Sequence, residues 1–234
     1  MKSSQEILGS VRAFINTQWQ VHKCKDVPDT SRITLDADAG EFEGAVLYAD
    51  MAASSDLVRK YAKKFAAMIY KIFLYSICET IRNNAGTITS FDGDRVMAVY
   101  IGERKCSDAA KTALQIKYTV NKLNEILKNE LPNDSLEIDY AVGVDVSDLF
   151  VVKTGIWGDN YLAWIGNAAN IAAKLSETRN RQAKSFITKR LFDRLNDDSK
   201  YSESKERGKS CMWNRAEFEI LGQPVYESNW HWSF

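Results

Sequence analysis

Two aspartates at the ends of apolar runs offer the clearest chemistry in this sequence. Asp50 closes the run 44–50, and Asp94 follows Phe91-Asp92-Gly93, just ahead of the run 95–100. Carboxylates at two neighbouring strand ends are a natural cradle for a pair of divalent cations, which activate a hydroxyl and neutralise a polyphosphate. Each residue also has a plainer role: Asp50 as a helix cap and Asp94 as a turn former. A second constellation lies within 165–178. Asn167, Asn170 and Lys174 share one helical face, and Ile165, Ala168, Ala169, Ala172 and Leu175 share the other. A polar face of this kind is usually solvated surface. Two asparagines nevertheless cost helix stability, and with a lysine beyond them they can orient a ribose and a phosphate.

The elements that must position these groups alternate. Residues 44–50 read as a strand, with Val46, Tyr48 and Asp50 on one face. Residues 55–83 read as one long helix with Leu57, Tyr61, Phe65, Met68, Ile72 and Phe73 near one stripe, capped by Ser54 or Ser55. The backbone N–H groups of 51–56 would then face a phosphate at its start. Residues 86–91 and 95–101 read as a hairpin about Asp92-Gly93, and 107–130 as a helix stopped before Pro132. Residues 136–144 and 148–154 read as two strands joined by a short turn, and 165–178 as a helix. A short strand at 185–188, a short helix at 189–196, a charged loop at 200–210 and strands at 215–220 and 225–230 complete the chain. Helices alternating with antiparallel pairs predict an α+β fold, a mostly antiparallel sheet with helices packed on it.

Ahead of this lies an amphipathic helix over 3–20, with Ile7, Leu8, Val11, Phe14, Ile15 and Trp19 on one side, to be covered by the main domain or by a second subunit. Residues 21–41 are polar, contain Pro28 and read as a connector. The expected division is therefore 1–41 as helix and connector, and 42–234 as the functional domain. Lys plus Arg (31) equals Asp plus Glu (31), so no overall field points to nucleic acid or an acidic membrane. The four cysteines and two histidines lack zinc-site spacing, and scattered cysteines fit a reduced cytosol. No signal-peptide core and no membrane-length apolar run is present, so a cytoplasmic protein without membrane insertion is expected.

Three segments together resemble the class III nucleotidyl cyclase catalytic domain, the family of adenylate and guanylate cyclases. Leu47-Tyr-Ala-Asp-Met51 is similar to the family's first metal motif, and Phe91-Asp-Gly-Asp-Arg-Val-Met-Ala-Val-Tyr100 to its Gly-Asp hairpin. Tyr140 to Ser147, followed by Ile165 to Leu175, is similar to its Gly-Ile-His-x-Gly strand and its Asn-bearing helix. The resemblance covers roughly 42–230 and implies a ferredoxin-like sheet. It implies that Asp50, Asp94 and the Met51 carbonyl bind two Mg²⁺ or Mn²⁺ ions. It implies too that Asn170 orients the ribose and that Lys174 stands where the family has a transition-state arginine. Lysine lacks the planar fork of arginine. A homodimer with composite sites is also implied.

The departures from the family bear on the base. The two positions that read a purine are Ser90 and Ala163 here, Tyr48 replaces a usual phenylalanine, and Arg95 directly follows the second metal aspartate. A tyrosine hydroxyl or an arginine fork can pair with a pyrimidine carbonyl; core packing for Tyr48 and a surface ion pair for Arg95 are the simpler roles. This combination resembles the bacterial pyrimidine cyclases of Pycsar antiphage systems. It implies a UTP or CTP substrate, UTP favoured, and a product that activates a cyclic-nucleotide-responsive effector. A divergent purine cyclase, an inactive nucleotide-binding relative and a polymerase-like palm domain are the alternatives.

Overall fold

A computed structural model describes residues 2–131, 136–156, 158–179, 181–204 and 208–234. In chain order its elements are α1 (Ser4–Asn16), β1 (Gln20–Lys23), β2 (Asp38–Met51), α2 (Ser54–Lys60), α3 (Lys63–Asn83), β3 (Thr87–Asp92), β4 (Arg95–Tyr100) and α4 (Lys105–Glu130). There follow β5 (Tyr140–Ile156), β6 (Asp159–Ile165), α5 (Asn167–Ser176), β7 (Ser185–Thr188), α6 (Lys189–Phe192), α7 (Asp197–Lys200), β8 (Tyr201–Ser204), β9 (Gly208–Cys211), β10 (Asn214–Ile220) and β11 (Gln223–Ser228). They form two compact units, residues 44–147 with 167–234, and residues up to 43 with 148–166.

The larger unit is α+β. Its strands are ordered β10-β11-β7-β5-β2-β4-β3. The pairings β2–β4, β3–β4, β7–β11 and β10–β11 are antiparallel, and β5–β7 is parallel. Period-two alternation divides β2: Ala45, Leu47, Ala49 and Met51 enter the main core, leaving Val46, Tyr48 and Asp50 on the other face. That core is closed by α3, through Ile69, Phe73, Ile77 and Ile81, and by α4, through Ala109, Ala113, Leu114 and Ile116. These spacings of three and four residues are why both segments are helical. Each fully buried Ile or Phe contributes roughly 1.5–3 kcal/mol.

The other sheet face receives α5. Ile171 and Leu175 pack with Ala141, Phe186 and Val225. Gly143 makes the close approach possible: a Cβ there would lie 2.2 Å from the carbonyl oxygen of Ala172 and 2.5 Å from Cβ of Leu175. Gly143→Ala is expected to push α5 off the sheet and to cost about 1–3 kcal/mol, read as a lower urea midpoint.

In the smaller unit β1 pairs in parallel with Asp38–Glu41, and β5 pairs with β6 from Phe150↔Ile165 to Ile156↔Asp159. The rings of Trp19 and Phe150 lie 5.9 Å apart, and those of Phe42 and Trp164 6.3 Å. Helix α1 opens on a Ser3/Glu6 capping box but buries none of its residues, so its apolar side stays exposed.

Several sequence expectations are corrected. The long helix at 55–83 is two helices, because Tyr61 is extended between α2 and α3. No glycine or proline marks that break; the stacked rings of Tyr61 and Phe65, 4.8 Å apart, bridge it. The start of α2 is Ala53 in left-handed geometry, with no cap from Ser54 or Ser55. Residues 136–144 and 148–154 are not a hairpin. One strand, β5, begins at Tyr140, runs on through 148–154 and turns back into β6, so 136–139 lie outside it and Ile165 ends a strand instead of lining α5. The connector at 21–41 contains β1, and the charged loop at 200–210 contains the β8–β9 pair, with 205–207 outside the described residues. Pro132 also lies outside them.

Candidate active site

Strand β2 delivers Asp50 directly opposite Arg95, the first residue of β4. Asp92 and Arg95 are themselves paired, so Gly93 and Asp94 form the loop between β3 and β4. Gly93 has φ 60°, a positive value at the first central position that suits the twist of hairpin strands and favours glycine. The turn thereby holds Asp94 beside the strand position that faces Asp50.

The electrostatics agree. The Asp50 side chain is only 13% exposed. Burial holds its carboxyl above the ordinary carboxylate range; a hydrogen bond from Arg179 works against this shift, and the nearby charge of Asp94 works with it. Two crowded carboxylates on hard oxygen atoms are a donor set whose repulsion Mg²⁺ or Mn²⁺ would relieve. The site fits such cations. The Met51 side chain is buried in the core, so only its backbone could serve a cation. Among the described residues no group of three or more His, Cys, Asp or Glu gathers into a metal cluster, at this site or any other.

Two groups that the sequence reading missed complete this site. Glu177 and Arg179 follow α5 directly. Arg179 Nη2 donates to Asp50 Oδ2 at 2.6 Å, and its Nη1 donates to the carbonyls of Ser176 (2.7 Å) and Thr178 (3.2 Å). Arg95 Nη1 donates to Glu177 Oε1 at 2.9 Å, and Arg95 Nη2 lies 3.5 Å from Asp92. Nothing in the sequence distinguishes Arg179 from any other charge after a helix. Only the packing of α5 across Gly143 brings it to Asp50.

Three of the base-reading candidates, Tyr48, Ser90 and Arg95, fall near the same strand ends. The Arg95 guanidinium stands 5.9 Å from the Tyr48 ring centroid. Tyr48 and Ser90 are both register partners of Met97, so the three lie side by side across β2, β4 and β3. Burial pushes the Tyr48 phenol up, so it remains a hydrogen-bond donor at neutral pH. Ala163 lies in the smaller unit, opposite Val152 on β5.

Asn170 and Lys174 are exposed on α5, with Ala168, Ala169, Ile171, Ala172 and Leu175 buried. The helix start is tied to β5 by a hydrogen bond from the Ala168 N–H to Ser147 Oγ at 3.0 Å. The chain therefore presents two polar groups: carboxylates at the ends of strands, and an amide–ammonium pair on an open helix face. A cavity of about 430 Å³ opens past the end of β2, lined among others by Met51, Ala53, Ser54, Asp56 and Lys60 but by neither Asp50 nor Asp94.

No protein-family model matches the chain. It is 38% identical to a uridylate cyclase of Xanthomonas perforans over 219 residues, 93% of this chain and 92% of that protein. It is 35% identical to a uridylate cyclase of Rhodovulum sp. (strain MB263) over 236 residues, 98% and 97% of the two chains. A uridylate cyclase of Burkholderia cepacia is also 35% identical, over 92% of each. Among solved structures, the adenylyl cyclase CyaB from P. aeruginosa superposes with a TM-score of 0.66 at 13% identity, covering 81% of this chain and 95% of that one. The guanylyl cyclase Cya2 gives 0.64 at 11%, covering 80% and 91%. The fold is thus that of class III cyclases.

Proposed function

The chain belongs to the uridylate cyclase family, and from that premise we propose that it converts UTP to 3′,5′-cyclic UMP and pyrophosphate at a composite site in a homodimer. The observation that carries this reading is the likeness to uridylate cyclases over nearly the whole chain. The side-by-side placement of Asp50 and Asp94 supports it.

In this reading residues 42–234 are the catalytic domain, and Asp50, Asp94 and the Met51 carbonyl hold two divalent cations. Bound there, the cations would neutralise the triphosphate and lower the pKa of the ribose 3′-hydroxyl. The oxygen–α-phosphorus bond forms as the bond to pyrophosphate breaks. Asn170 of the second subunit orients the ribose, and Lys174 supplies positive charge to the transition state. Tyr48 and Arg95 read the pyrimidine; the small Ser90 and Ala163 stand where purine cyclases carry their base readers. The product would act on a cyclic-nucleotide-responsive effector in antiphage defence. No described helix is long and apolar enough to cross a membrane.

The test is incubation with each of the four nucleoside triphosphates and Mn²⁺, with products identified by mass. Cyclic UMP is the expected main product. Exclusive formation of cyclic AMP or cyclic GMP would overturn the pyrimidine assignment.

A further inference from the structure

We propose that Arg179 is a charge placeholder on Asp50, one that opposes binding of a free divalent cation and favours a cation that arrives with a polyphosphate. This rests on the reading of Asp50 as a cation ligand. Nη2 of Arg179 already occupies Oδ2 of Asp50 at 2.6 Å, on a carboxylate largely withdrawn from water. A lone cation approaching that carboxylate meets a guanidinium at close range, where unlike screening in bulk water the repulsion is strong.

The guanidinium is also anchored from behind. Its Nη1 is held by the carbonyls of Ser176 and Thr178, at the end of α5 where backbone carbonyls give partial negative charge. When the carboxylate turns to a cation, Arg179 therefore stays beside it, still 32% exposed, with its Nη2 freed. Phosphate oxygens carried by the same cation are natural acceptors for it. A second pair, Arg95–Glu177, ties β4 to the same stretch of chain, so the anchoring segment is held at two points. Arg179 thus makes cation binding and nucleotide binding depend on each other, which is a positioning role and not a chemical one.

The test uses the full chain without nucleotide, titrated with Mn²⁺ and followed by the paramagnetic resonance signal of the free ion. Arg179→Gln is the informative variant, because it keeps a polar, hydrogen-bonding side chain at this position while the charge is gone. It is expected to bind Mn²⁺ about tenfold or more tightly than the unaltered chain. Arg179→Lys, which keeps the charge, is expected to bind Mn²⁺ as weakly as the unaltered chain. With Mn²⁺ present, Arg179→Gln is expected to bind a non-cyclisable UTP analogue more weakly. Arg179→Met serves the same purpose if the glutamine variant does not fold. Mn²⁺ binding by Arg179→Gln no tighter than that of the unaltered chain would overturn the placeholder role. A gain in Mn²⁺ affinity that survives in Asp50→Ala/Arg179→Gln would instead overturn the cation role of Asp50.

Discussion

Asp50→Ala is expected to abolish formation of the cyclic nucleotide, and Asp94→Ala to do the same, while both variants keep the native fold. The expected loss is at least about a thousandfold in turnover, because cation stabilisation of a phosphoryl transition state is worth several kcal/mol. Stability should hardly change. Asp50 makes its strand pairing through the backbone opposite Arg95, and Asp94 lies in a turn whose positive φ belongs to Gly93. Removing Asp94 also removes the repulsion that, beside burial, raises the Asp50 carboxyl. Arg179 loses one partner in Asp50→Ala but keeps two carbonyl acceptors. Product mass analysis reads the first effect and thermal unfolding the second. Turnover like that of the unaltered chain in either variant would overturn the assigned cation roles.

The largest effect on stability is expected away from the site. Asp145 on β5 is fully buried, and Arg190 on α6 grips it through Nε at 2.8 Å and through Nη2. The Thr188 hydroxyl donates to the same carboxylate, and its oxygen also caps α6 by accepting the Leu191 N–H. Arg190→Met removes the fork and leaves a buried carboxylate without its cation, which costs about 3–5 kcal/mol. That is a large share of the roughly 5–15 kcal/mol that holds a domain folded. Urea unfolding should show a much lower midpoint at an unchanged slope. The double variant Asp145→Leu/Arg190→Met should recover most of the loss, because apolar replacement of a buried pair is often neutral. An Arg190→Met midpoint within experimental error of the unaltered chain would show that the pair contributes little.

How far the sequence could be read depended on the range of the interactions involved. The strand 44–50, the hairpin around Gly93, α4 and α5 were all legible, because apolar period, turn chemistry and caps are local. The division of 55–83 was not, because its sequence stays helix-competent through Tyr61 and tertiary packing makes the break. The reversal of β5 into β6 was missed for a similar reason. The run through Ser147 and Asp148 looks like a turn, but β5 continues through it and pairs its far half, 150–156, with 159–165.

The candidate site divides along the same line. By itself the sequence determined that Asp50 closes a strand, that Asp94 sits at a hairpin turn and that Asn170 and Lys174 share one polar helix face. Alternation and helical period decide such matters within a few residues. It also pointed, through motif spacing, to the cyclase family. Only the tertiary structure decided what surrounds the carboxylates. Arg179 stands 129 residues from Asp50 in the chain, and Glu177 stands 82 from Arg95. These pairs exist because α5 settles against Gly143, an approach that depends on one missing Cβ and leaves no periodic trace in the residues it brings together.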